Sequence, residues 1–119
     1  MLINLSNHPS SKWSEAQTQA AHQYGDIVDM PFPKVDPKGD ETDVVNLAEE
    51  YFQKVLDLAK GTNVTVHLMG EMTLTYALVQ RLQKIGIVCV ASTTQRVSID
   101  LPDGRQESVF KFVKFRKYQ

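Results

Sequence analysis

Cysteine is nearly absent from this chain of 119 residues. Cys89 stands alone, so no intramolecular disulfide is available, and a reducing cytoplasm is the expected compartment. The three histidines, His8, His22 and His67, lie far apart, and with one thiol they make no recognisable zinc spacing; no metal is expected. Long apolar runs are missing as well. No stretch has the length and apolarity needed to cross a bilayer, and Asn4 interrupts the only apolar segment near the N-terminus, which has no basic flank, so neither a membrane span nor a secretory signal is expected. Neither sign of charge dominates: 13 Lys and Arg stand against 14 Asp and Glu, a net charge of -1 that gives no reason to expect binding to duplex DNA.

Several sites fail for want of the residues they require. There is no Walker-type phosphate loop and no GxGxxG after the first strand, which argues against ATPase and ordinary dinucleotide-binding chemistry; no cofactor is expected. A phosphoacceptor of the response-regulator type needs carboxylates at the ends of the first and third strands. This chain has Asn4, Ser6 and Asn7 at one and Met69 and Gly70 at the other.

What is present reads as a single domain over residues 1–119, with ordinary fractions of hydrophobic (42%) and charged (23%) residues for a globular protein. Leu2 to Leu5 is an apolar strand. Ser14 is placed to N-cap a helix reaching about Tyr24, with Gln17 in the capping-box position and Trp13 outside as a staple. Ile27 to Met30 is a short strand ended by Pro31 and Pro33. A helix follows from about Asp40–Asp43 to Lys60 with Val44, Val45, Ala48, Tyr51, Phe52, Val55, Leu56 and Ala59 on a broad apolar face; Val64 to Met69 is a buried strand, and Leu74, Leu78, Leu82 and Ile85 mark a third helix. Ile87 to Ala91 has the composition of a strand covered on both faces, with a buried, inert Cys89. The order βαβαβαβ predicts a Rossmann-like three-layer sandwich of class α/β with a mainly parallel sheet over residues 1–91.

After Ala91 the pattern changes. Arg96–Leu101 and Ser108–Tyr118 are strand-like, and Pro102-Asp103-Gly104-Arg105 between them predicts a C-terminal antiparallel β-hairpin over residues 96–118. In its second arm Phe110 and Phe112 share one face while Val113 and Phe115 share the other, which calls for a bulge or a second packed surface such as self-association.

Ligands of open α/β sheets bind beyond the carboxyl ends of the strands. A parallel core therefore gathers three polar segments on one edge: Ser6-Asn7-His8, Gly70-Glu71-Met72-Thr73-Leu74-Thr75 and Ser92-Thr93-Thr94-Gln95-Arg96. Two lead into helices, whose first turns offer unpaired N–H groups and a positive dipole end to phosphate, and Gly70 permits close backbone approach. Arg96 adds a bidentate phosphate donor, and Lys12 and Trp13 suit a phosphate and a base. Histidine gains or loses a proton near neutrality, which makes His8 the candidate general acid or base. Each has a plainer role too: Ser6 and Asn7 as a turn before Pro9, Glu71 as an acid on the helix dipole, Thr73 or Thr75 as a cap, His67 as a buried, hydrogen-bonded side chain.

In the order of its elements, in Ser6-Asn7-His8 after the first strand and in Gly70-Glu71-Met72-Thr73-Leu74-Thr75 opening the third helix, the chain resembles the small single-domain members of the CRISPR-associated Rossmann fold (CARF) superfamily. The resemblance covers most of its length and implies a homodimer that binds cyclic oligoadenylate across its two-fold axis. Some such proteins are metal-independent ring nucleases of type III CRISPR signalling, in which a ribose 2′-hydroxyl attacks the adjacent phosphate to leave a 2′,3′-cyclic phosphate. On that resemblance Ser6 and His8 are the catalytic candidates, and Ser6, Asn7, Lys12, Gly70, Glu71, Thr73, Thr75, Ser92, Thr93 and Arg96 bind ligand. The rival expectations are a nucleotide sensor that leaves its ligand intact and a protein-interaction domain that binds no nucleotide.

Overall fold

A computed structural model describes residues 1–119. Its elements are β1 (Leu2–Ser6), a short 3-10 turn (Ser10–Lys12), α1 (Glu15–His22), β2 (Ile27–Pro31), α2 (Glu41–Ala59), β3 (Thr65–Met69), α3 (Met72–Lys84), β4 (Val88–Asp100) and β5 (Gln106–Lys117). The sheet order is β2-β1-β3-β4-β5, with the first four strands parallel and β5 antiparallel to β4. This is the Rossmann-like α/β sandwich with a C-terminal hairpin that the residue pattern predicts.

Alternation along the strands sorts side chains between two unequal layers. Ile3, Leu5, Val66, Leu68 and Cys89 pack with Ala48, Val55 and Ala59 of α2 and with Leu74, Leu78 and Leu82 of α3, which together form the main core. The opposite face carries Leu2, Asn4, Ser6, His67 and Val90, all buried, with Ala21 of α1. One two-turn helix cannot cover a five-stranded sheet. Val88 is accordingly 38% exposed, so the expected strand covered on both faces is covered fully on one only. Val45 is 44% exposed and lies off the packed stripe of α2.

The caps follow local chemistry. Ser14 Oγ accepts from Gln17 N, and Asp40 and Asp43 form a reciprocal capping box at the start of α2. Lys60 closes α2 in the left-handed region at φ 44°. Trp13 is not a staple: its ring stands edge-on to His67, 5.4 Å between centroids, and packs on Phe115.

β4 is a single strand of 13 residues, which corrects the expected break after Ala91. Ser92, Thr93 and Arg96 lie within it rather than in a loop, because β5 gives every residue from Val90 to Asp100 a ladder partner and Thr93 and Thr94 favour extended backbone. The expected bulge is present. Thr93 pairs with Lys114 and Thr94 with Phe112, so Val113 is the extra residue. Thr93 Oγ1 ties the bulge by donating to Lys114 O and accepting from Lys114 N. The insertion flips the later residues, so Phe112 and Phe115 end on one face with ring centroids 5.0 Å apart. Beyond Met69 the hairpin runs on without the rest of the sheet beside it. A radius of gyration of 16.1 Å, against about 13.5 Å for a compact domain of this length, reflects that projection.

Candidate functional site

Strand order reverses between β1 and β3: the chain leaves β1 for β2 on one side and returns to β3 on the other. The crevice of a doubly wound sheet lies at such a switch point. Here a cleft of about 940 Å³ opens there, bounded by the β1 loop and the start of α1 on one side and by Met69, Gly70, Ser92, Thr94 and the Phe110-Lys111-Phe112 arm on the other. That volume suits a drug-sized or nucleotide-sized ligand.

Its first wall is built from a buried polar network that begins with an asparagine inside an apolar strand. Asn4 is 2% exposed and uses its whole amide. Nδ2 donates to His8 O (2.9 Å) and to Asp29 Oδ1 (2.8 Å), while Oδ1 faces Ser6 Oγ (2.7 Å) and His67 Nδ1 (2.9 Å). Ser6 Oγ also lies 3.1 Å from His8 O and accepts from His8 N at 3.3 Å, the geometry of a serine turn. Asp29 takes two further donors, Ser10 N and Ser10 Oγ. The loop is thus laced to β1 and β2 by its backbone, and the His8, Lys12 and Asn7 side chains are left exposed.

Electrostatics follow from these contacts. Burial pushes the Asp29 carboxyl up, but the hydrogen bonds from Asn4 and Ser10 outweigh it and hold it below the usual carboxylate range. Burial, reinforced by the nearby His8, holds His67 down at about 4, so its imidazole is neutral at neutral pH. His67 is therefore buried and hydrogen-bonded through Nδ1 as its sequence context suggests. Its Nε2 has no partner, an arrangement that typically costs about 1–3 kcal/mol. Burial also pushes the Cys89 thiol up to about 12, leaving it protonated and unreactive.

Of the sequence candidates, Ser6, Asn7, His8, Lys12, Gly70 and Ser92 line the cleft. Glu71, Thr73, Thr75, Thr93 and Arg96 do not, and each has a structural occupation or place of its own. Glu71 N-caps α3, accepting from Thr73 N and Leu74 N at 2.9 Å and from Thr73 Oγ1, bonds that hold its carboxyl below the usual range. The first-turn amides expected to meet phosphate thus already hold a carboxylate. Thr93 is committed to the bulge, Arg96 donates to Ser108 Oγ out on the hairpin, and Thr75 lines a separate hollow of about 530 Å³ beyond Gly70 with Met72, Tyr76 and Tyr118. That hollow has no charged side chain in its wall. A Cβ on Gly70 would come within 2.5 Å of the Phe32 ring, so packing against an upstream aromatic accounts for the glycine. Ser92 joins the site as a strand residue, its N and Oγ directed at the Met69 sulfur.

Lys111, Phe110 and Phe112, which no local sequence signal marks as site residues, are brought to the cleft by the bulged hairpin. The charged side chains of the lining are of one kind, Lys12 and Lys111, with His8 beside them and no carboxylate in the wall although the chain has 14 acidic residues. Trp13, Phe110 and Phe112 supply aromatic surface. No three metal-ligating side chains converge anywhere in the chain, and no helix is long and apolar enough to cross a membrane.

The model of the Uncharacterized protein MJ1673 family matches residues 1–116. The chain belongs to that family. No curated protein and no solved structure matches it.

Proposed function

We propose that this chain binds a phosphorylated nucleotide in the cleft at the ends of β1 and β3, with cyclic oligoadenylate as the ligand class and a homodimer as the working unit. The observation that carries this proposal is the lining. Cationic and imidazole groups meet aromatic rings with no carboxylate among them, which suits phosphate and a stacked base together. The link to cyclic oligoadenylate and to type III CRISPR signalling rests on the likeness of the β1 loop and the Gly70 segment to CARF proteins. Exposed Phe110 (69%), Val113 (55%) and Ile99 (40%) on the projecting hairpin supply apolar surface for self-association.

Ring cleavage is the sharper form of the same proposal. The 2′-hydroxyl of a bound ribose gives up its proton to water, its oxygen attacks the neighbouring phosphorus to form the 2′,3′-cyclic phosphate, the bond to the 5′-oxygen breaks, and the departing oxygen takes up a proton. His8 is the donor assigned to that step, with Lys12 beside it for the developing charge. Binding without cleavage is favoured by one observation: the Ser6 hydroxyl is already engaged by Asn4 and His8 O, which leaves His8 without a second hydroxyl partner.

Purified protein incubated with cyclic tetra-adenylate or cyclic hexa-adenylate, followed by thermal melting and mass analysis of the nucleotide, separates these outcomes. A raised melting temperature with linear product supports cleavage, and His8→Ala then slows turnover without unfolding the protein. A raised melting temperature with intact ligand supports the sensor. Intact ligand and no stabilisation refute nucleotide binding and favour a protein-interaction domain.

A further inference from the structure

His67 is 3% exposed and forms part of the cleft wall, yet its Nε2 meets no donor. What that atom offers is set by groups on three other segments. Asp29 Oδ1 and the carbonyl of His8 can only accept, so Asn4 must turn its Nδ2–H group to both of them. Its Oδ1 is thereby fixed toward His67, which places the ring proton on Nδ1. Nε2 is left as a bare lone pair. Two rings, Trp13 and Phe115, stand edge-on to the imidazole, with centroids 5.4 and 5.3 Å from its own. Buried acceptors without partners are rare in proteins, and one on a ring-flanked imidazole inside a cationic cleft is placed to be completed by a ligand.

We infer that His67 Nε2 is the base-reading atom of the cleft, accepting a hydrogen bond from the exocyclic amino group of a nucleotide base that lodges beside Trp13. The inference rests on the nucleotide proposal above and narrows it to bases that carry an amino group. Lys12 and Lys111 take the phosphates, while the indole swings from the imidazole edge to lie along the base. Trp13 lies between the 3-10 turn and Ser14, outside any helix, so the swing breaks its packing on His67 and Phe115 but no helical hydrogen bond. A base without the amino group leaves the acceptor orphaned on binding and loses about tenfold or more in affinity.

The probes are cyclic tetra-adenylate and the same ring built from purine riboside, which lacks only the 6-amino groups. Each is titrated into the full chain, with emission of its single tryptophan and calorimetry as readouts. The adenylate ring should bind about tenfold or more tighter, and His67→Phe should bind both rings alike at the weaker level. A long-range nitrogen NMR spectrum of the unsubstituted protein tests the same claim without relying on the variant's folding. Nε2 should resonate as an unprotonated nitrogen and move with the adenylate ring but not with its analogue. Equal affinities and an unmoved Nε2 overturn the assignment to His67 while leaving nucleotide binding intact; if neither ring binds, both proposals fall.

Discussion

Replacing Asn4 by alanine tests the polar network more directly than any change at the cleft surface. Asn4 makes four hydrogen bonds at 2.7–2.9 Å and is 2% exposed, so truncation exposes none of its partners to water at once. The losses are unequal. Asp29 keeps both donors from Ser10, and Ser6 keeps His8 O. His67 Nδ1–H loses its only acceptor in a buried site. The lost bond to His8 O at about 1 kcal/mol and one orphaned donor at about 1–3 kcal/mol sum to about 2–4 kcal/mol. With about 0.25 kcal/mol/K of unfolding entropy for a chain of this length, Tm should fall by about 8–16 °C. Urea unfolding measures the free energy, and a cycle with His67→Phe identifies its source. Removing the imidazole removes the orphan, so the double variant should be more stable than the two single losses predict, by about 1–2 kcal/mol. A loss below about 1 kcal/mol for Asn4→Ala, or strict additivity in the cycle, refutes the network as the clamp on the β1 loop.

Gly70→Ala places a methyl 2.5 Å from the Phe32 ring and should cost about 1–3 kcal/mol in urea unfolding, and Phe32→Ala in the same chain should relieve part of it. His67 has a usual value of 6.5 and sits at about 4 when folded, so the unfolded chain takes up a proton that the folded chain refuses; stability should be complete above pH 6.5 and fall by about 3 kcal/mol as pH drops to 4. Asp29, also lowered in the folded state, acts in the same direction through the range below, and a stability profile flat from pH 6.5 to 4 refutes the buried neutral imidazole. Asp29→Asn retains an acceptor for Asn4 and Ser10 N and, with His8 O still orienting the Asn4 amide, should leave the His67 proton on Nδ1 by NMR. A shift of that proton to Nε2 refutes the two-acceptor account of the tautomer.

The sheet and its helices are legible because their signals are local: apolar spacing, Ser14 and Asp40 as caps, prolines after Met30, and Pro102 to Arg105 as a turn. The bulge at Val113 is legible in the same way, since the phase of Phe110, Phe112 and Phe115 cannot be kept by an unbroken strand. Ser92 to Gln95 misleads because on an uncovered hairpin a strand needs no apolar alternation, so polar residues resemble a loop. Asn4 reads as an interruption of an apolar run. Its meaning depends on Asp29, which stands beside it only once β2 pairs with β1. Gly70 likewise suggests room for a ligand until Phe32, far upstream, fills that room. Glu71 takes the plainer of its two expected roles, an acid at a helix N-terminus: it caps α3 from the position before the first turn and does not line the cleft. Half of His67 is legible, the hydrogen bond; the unpartnered Nε2 follows from tertiary packing that no local signal carries.

The site divides its labour between residues that hold and residues that meet. Asn4, Ser6, Ser10 and Asp29 spend their hydrogen-bonding capacity on one another and on the backbone of His8, while His8, Lys12 and Trp13 project from the chain so fixed. Asn4 Nδ2 donates to the His8 carbonyl and Ser6 Oγ accepts from His8 N, so the main chain beneath the candidate acid is anchored to β1 while its ring stays in solvent. On the proposed reading the cleft acts through position and charge, and position requires a supporting layer that does not itself move. The hydroxyl and amide crowding at the end of β1 is that layer, and the proposed ligand contacts fall to the cationic and aromatic groups above it.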